Sequence, residues 1–441
     1  VRRTRALAVL ALAAACGPKE DVTPQVPVQA GAAARAMALT GRFGVGGPFR
    51  SAKSEVDAGA EPAEPAPGRL AFSCVEPRGP YRALARVPCE VTIVGRGADA
   101  GADVLDVEDV ENGRVAMELA PGAYRVTVGR GPEFAVAAWD ADVVEGKTTW
   151  APNEGAVVVA HVVDTRGYLA VDGAAREERE ALARDAAQGI EVVVGDVART
   201  VQQTKLEDAL AVVAPIAGLD AVDPLTGAAA LLANAATGRP ARALGSFPAR
   251  TYVRVAPDAS PATWSPDDEA DVVRGLRDRG DAVVTTGPFV RVTANGVPLG
   301  GIAKPRADRE VEVAVHVECA PWMAVDRATL TRASGGAPLS QTFALRPTAM
   351  GGLAADITFY LRASTDDAFV VTIDAAAADA GAPPLAEGAP PRAVTAPLWI
   401  DADGDGASLG RTAPPPLETR DAAGARGSLS PPGVSPPGPS H

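Results

Sequence analysis

The apolar residues change period twice along this chain, and those changes dictate a fold of mixed layers. From Gly68 to about residue 165 they alternate in short runs, as half-buried strands do. Leu70, Phe72 and Cys74 share one face, as do Val87, Cys89, Val91 and Ile93. Val115, Met117 and Leu119 set against Tyr124, Val126 and Val128 across Ala120-Pro121-Gly122 read as a hairpin. Between 166 and 290 helical and strand periods interleave. Helices are expected over 177–188, closed by Gly189, over 205–214, and over 225–237, closed by Gly238. A further helix starts with Ser265 as N-cap, Pro266 at the first position and Asp267, Asp268 and Glu269 against the helix dipole, and ends at Gly280. Strand 190–194 follows the first of these helices and strand 282–286 the last, an order that argues a parallel α/β unit. After Gly287-Pro288 strands return, most clearly over 311–317 and 369–373. The expected fold class is multidomain α+β: a β-sandwich over 67–165, an α/β domain over 166–290 and a second β-sandwich over 291–411 with an Asp-rich end.

The two ends carry different information. Arg2, Arg3 and Arg5 precede ten apolar residues, 6–15, and then Cys16. That run is too short to cross a bilayer and reads as a secretory signal peptide over 1–15. Leu12-Ala13-Ala14-Ala15-Cys16 resembles a lipobox, so Cys16 is the expected lipidation site and the lipid the expected membrane anchor. Gly17 in place of an aspartate favours the outer membrane over retention at the inner one, facing periplasm or cell surface. Residues 16–66 are rich in Ala, Pro and Gly and read as a tether, and 412–441 as a disordered Pro-rich tail. A net charge of −13 with no basic block after the signal argues against nucleic acid as partner. An unnamed protein or small molecule is left as ligand.

Four cysteines are present, and an oxidising compartment permits a bridge. Cys74 and Cys89 both point into the first sandwich core, where they form either a disulfide or two free buried thiols. Cys319 continues the strand face of Val311, Val313, Val315 and Val317 and reads as a core thiol.

The stretch from Leu119 to Val128 resembles carboxypeptidase-regulatory or transthyretin-like modules. Four further stretches resemble the polymerase and histidinol phosphatase (PHP) superfamily, in its CehA/McbA-like metallohydrolase branch. They are Val163-Asp164-Thr165-Arg166-Gly167-Tyr168, Pro248-Ala249-Arg250-Thr251-Tyr252-Val253-Arg254-Val255, Val283-Val284-Thr285-Thr286-Gly287-Pro288-Phe289-Val290 with Asn295-Gly296, and Pro397-Leu398-Trp399-Ile400-Asp401-Ala402-Asp403-Gly404-Asp405-Gly406. The resemblance implies a metal centre with an Asp-x-His-x-His segment at the end of the first barrel strand. Here Asp172 stands with Ala174 and Arg176 in the histidine places. A Thr-Asp-His segment is replaced by Asp196-Val197-Ala198, and 243–248 holds no Asp-x-His. A closed (β/α) barrel takes about 250 residues, so 166–290 implies a shrunken barrel remnant.

The chain has three histidines, none near another in sequence. His161 reads as an ordinary strand residue, His316 shares a polar strand face with Glu312 and Glu318, and His441 is terminal. Nucleophilic triads need a neighbouring histidine, and no Gly-x-Ser-x-Gly elbow occurs. Asp172 and Asp196, with Asp164, Asp220 and Asp223 at hand, form an oxygen-only site for Mg²⁺ or Mn²⁺, or are solvated and capping residues. Asp401, Asp403, Asp405 and Gly406 match the start of a calcium loop, but Thr412 stands where an EF-hand needs its bidentate glutamate. A weaker calcium site or a plain acidic turn fits. These readings predict a non-catalytic lipoprotein descended from a metallohydrolase, acting by binding or as an envelope component. The alternative is a residual metal-dependent phosphoesterase or ester hydrolase using carboxylate ligands.

Overall fold

The structure is a computed structural model and describes residues 65–78, 83–96, 104–110, 112–173, 178–204, 206, 209–216, 220–221, 226–237, 243–245, 249–375 and 390–412. The signal, Cys16, the tether up to residue 64 and the tail from 413 lie outside the described residues.

The N-terminal part consists of two sheets. Gly68–Arg78 is the hub of one, antiparallel to Ala83–Arg86 and Arg114–Leu119 and parallel to Thr148–Trp150 and Ala156–Val158. The other runs in the order Val104–Val110, Cys89–Gly95, Gly122–Gly129, Ala137–Val143. Leu70, Phe72, Val115 and Met117 from the first meet Val91, Ile93, Val126 and Val128 from the second in one core. Each such side chain contributes about 1.5–3 kcal/mol on burial. Cys74 and Cys89 are bonded, with Cα atoms 6.3 Å apart, and tie one sheet to the other.

The expected hairpin across Ala120-Pro121-Gly122 does not form. Arg114–Leu119 pairs with Gly68–Arg78, whereas Gly122–Gly129 pairs with Cys89–Gly95 and Ala137–Val143. The connection therefore crosses between sheets. Both strands turn their apolar faces into the same core from opposite sides, which alternation alone does not distinguish from pairing edge to edge. The Tyr124 hydroxyl clamps the crossing by donating to Ala120 O at 2.7 Å.

An eleven-stranded sheet forms the centre of the molecule. Tyr168–Asp172, Val192–Val194 and Ala211–Val213 lie parallel, with the helices Arg179–Ala187 and Ala198–Thr204 between them in sequence. On its other side Tyr168–Asp172 is antiparallel to Arg250–Arg254, followed by Ala282–Thr285, Ala393–Thr395, Asp367–Asp374, Arg327–Arg332 and Leu339–Thr342, all antiparallel. The parallel unit thus stops at three strands, and the sheet is open rather than closed into a barrel. Residues on both sides of 290 share it.

Two helix expectations shift for local reasons. The span 205–214 contains a strand, Ala211–Val213, because Val212 and Val213 enter the sheet beside Val193 and Val194. Leu206 and Leu210 are buried below it. The helix opened by Ser265 is α-helical over Pro266–Arg274 and widens to a π turn over Gly275–Arg279 before Gly280 at φ 63°.

A five-stranded antiparallel sheet, in which Phe289–Ala294, Glu310–Cys319 and Leu353–Arg362 are central, completes the fold. Its Val311, Val313, Val315, Ile357 and Phe359 pack with Leu330, Phe369, Val371 and Ile373 of the large sheet. One layer of this C-terminal sandwich is thus the continuation of the α/β sheet.

Candidate functional site

Asp172 ends its strand and is 4% exposed. Asp185, equally buried, reaches it from the helix Arg179–Ala187, and the two carboxyls are hydrogen-bonded. Burial, reinforced by the Asp172 charge, pushes the Asp185 carboxyl up to about 8, against the opposing pull of Arg184 and Arg250. Two carboxyls in contact away from water hold a proton between them.

The neighbourhood is otherwise occupied. Gly173 N–H donates to Gly245 O at 2.9 Å, and Gly245 N–H donates to Thr251 Oγ1 at 2.7 Å. The 243–245 segment therefore lies directly beside the end of the Asp172 strand. Leu244 packs on Gly173 so closely that a Cβ there would sit 2.0 Å from its Cγ. Asp196 is exposed and makes no hydrogen bond or ion pair with Asp172, and Ala198 is exposed at the start of its helix. Ala174, Arg176 and Asp223 lie outside the described residues, as does the Asp220 side chain. Asp164 is instead paired with Arg166 and Arg291, and the Arg166 guanidinium holds its carboxyl down at about 2. His316 bridges Glu318 and Asp356 at 2.7 Å each, and His161 stacks on Phe134. Among the described residues, the surroundings of Asp172 do not fit an imidazole-rich metal centre.

A cavity of about 340 Å³ opens between the N-terminal sheets and the central sheet. Its floor is a buried charge network. Arg130 donates to Glu76 at 2.9 Å, and Arg250 donates to Glu133 at 3.1 Å and to Gln188 O at 2.8 Å. The Tyr252 hydroxyl donates to the same Glu133 carboxylate. Gly131, at φ 87°, lets this loop approach the helix end, where a Cβ would lie 1.9 Å from Gln188 O. Burial keeps the His161 imidazole below its ordinary range, hence neutral. Glu191, partly buried on the cavity wall, accepts Ala170 N–H at 3.1 Å, and burial pushes its carboxyl up to about 7.

Asp401 and Asp403 converge with Asp366, with one carboxylate oxygen of each within 4.8 Å of the others. Asp405 turns outward and caps Ala407 N–H at 2.8 Å. Asp401 already accepts Gly404 N–H at 2.6 Å and Gly406 N–H at 2.9 Å, and Lys304 Nζ stands 3.4 Å from it. Cys319 is buried, its thiol pushed up to about 12 by desolvation, and is inert as a nucleophile.

Sequence reasoning passed over Asp185, Glu133, Glu191 and Asp366. Asp185 was visible in principle, because it falls three residues after Leu182 and one before Ala186 on the inner stripe of its helix. Glu133 and Asp366 lie in connections, where no periodicity marks an inward residue. No family model matches the chain, and no curated protein matches it.

Proposed function

We propose that this chain is a non-catalytic, exported protein descended from a PHP-type metallohydrolase, held to a membrane through a lipid on Cys16 and acting by binding or as an envelope component. The observation that carries the reading is the Asp172–Asp185 pair. Where the resemblance calls for a metal held by histidines, two carboxyls hold a proton and Leu244 fills the adjoining space. A carboxyl that keeps its proton at neutral pH is a poor ligand, since a metal must displace that proton first. The Cys74–Cys89 bond suits an oxidising compartment.

Metal analysis of the dialysed protein, with assays on a model phosphoester and a model carboxylic ester, tests this. At most calcium and no turnover are expected. Stoichiometric Mn, Fe or Zn that disappears in Asp172→Ala would overturn the reading in favour of a carboxylate-based hydrolase. Labelling with radioactive palmitate in a bacterial host, lost in Cys16→Ser, checks the anchor.

The Asp366, Asp401 and Asp403 group supports a calcium staple that joins the two ends of the C-terminal strands. Lys304 competes with the ion for Asp401, so binding should be weak. Added calcium in the millimolar range should raise the melting temperature of the protein, and Asp403→Ala should abolish the rise. An unchanged melting temperature at about 10 mM calcium, roughly tenfold above the weakest dissociation constants of extracellular modules, leaves a plain acidic turn.

A further inference from the structure

In the cavity between the N-terminal sheets and the central sheet, two of the three carboxylates have cationic partners. Glu76 has Arg130, and Glu133 has Arg250 together with the Tyr252 hydroxyl. Glu191 has neither. Among the described residues the hydrogen bonding of its carboxylate is confined to Ala170 N–H on Oε2, it forms no ion pair, and the residue lines the cavity.

We propose that this cavity binds a small organic cation, a primary ammonium on a compact apolar body, with Glu191 as its counter-ion. The proposal rests on the binding half of the function given above. An ammonium carries three donors and no acceptor, and the same wall offers acceptors in Glu191 and in the Thr165 and Ser260 hydroxyls. Ala209, Pro261 and Ala262 supply apolar wall for the carbon body. A volume of about 340 Å³ lies at the small end of ligand pockets, which sets the size of the guest. An anion is disfavoured: three carboxylates line the cavity beside one guanidinium, that of Arg130, and Arg130 and the adjoining Arg250 are already engaged with Glu76 and Glu133. A neutral guest would leave the Glu191 carboxylate desolvated and unpaired, a cost that an ammonium removes.

The charged and titratable groups facing Glu191 are Glu133 and Glu76, which raise its carboxyl further, Arg130, which lowers it, the Tyr252 hydroxyl, which Glu191 and Glu133 help to keep protonated, and the neutral His161 imidazole nearby. With burial placing the Glu191 carboxyl near 7, its ionised fraction grows between pH 6 and pH 8. Ammonium affinity should therefore rise by about tenfold over that interval.

Isothermal titration calorimetry of the full chain with cyclohexylamine, and with cyclohexanol as the neutral isostere, tests the proposal. The amine is expected to bind, more tightly at pH 8 than at pH 6, and the alcohol not to bind. Glu191→Gln keeps an amide oxygen for Ala170 N–H and should weaken the amine by at least about tenfold. The pH profile of the unaltered protein is an independent readout should that variant not fold. Equal binding of amine and alcohol, an unchanged affinity in Glu191→Gln, a flat pH profile, or no amine binding at either pH overturns the site. None of these outcomes touches the metal-content test, so a hydrolase with this cavity and a non-catalytic protein without it remain separate results.

Discussion

An aspartate on the inner stripe of a helix has to be paired or protonated, and Asp185 is both. Its folded-state carboxyl titrates near 8, above the ordinary value near 4 for an unfolded chain. The native state therefore holds a proton that the unfolded state has released over that interval. The stability linked to this proton is fully present below about pH 4 and is lost as pH rises toward 8. Asp185→Asn keeps the shape and a donor toward Asp172 but removes the titration. It should leave stability nearly unchanged at pH 4 and raise it by roughly 5 kcal/mol at pH 8, measured by urea unfolding at both pH values. A variant equally destabilised at both would show that the pair does not share a proton. At this scale the sequence was half legible. Asp172 stood out through the resemblance, whereas its partner was hidden because only the helix orientation reveals that Asp185 faces inward with Leu182 and Ala186.

At the level of elements, chemistry at the ends was more readable than pairing in the middle. Ser265 accepts Asp268 N–H while the Asp268 carboxylate accepts Ser265 N–H, a reciprocal capping box behind Pro266. Such a cap is set by neighbours in sequence, so four letters suffice to place it. Ser265→Ala should cost about 1 kcal/mol, read as a lowered melting temperature by circular dichroism, and Ser265→Asp should restore most of it. Two losses equal in size would mean that the Asp268 carboxylate alone carries the cap. Strand pairing has no such locality. Arg114–Leu119 and Gly122–Gly129 are adjacent and both alternate, yet each finds its partner tens of residues away. The same blindness affects 205–214, where two leucines at helical spacing precede valines that the parallel sheet recruits.

For the whole molecule, the consequence of the eleven-stranded sheet is that the α/β part has no edge of its own at residue 290. Ala282–Thr285 pairs with Arg250–Arg254 on one side and with Ala393–Thr395 on the other. Thr285 Oγ1 donates to Arg392 O at 2.9 Å, across more than a hundred residues. Phe289 places its ring edge-on to Tyr168 and Tyr252, so the first strand of the C-terminal sheet also closes the central core. Residues 65–290 alone would leave the fully buried Val283 and Val284 on an edge strand, paired with Arg250–Arg254 on one side and open on the other, which is a template for aggregation. That fragment should therefore elute as aggregate in size-exclusion chromatography and melt without a cooperative transition, whereas 65–412 should unfold with one. A monomeric 65–290 with a sharp transition would show that the large sheet is two independent units meeting at Ala282–Thr285.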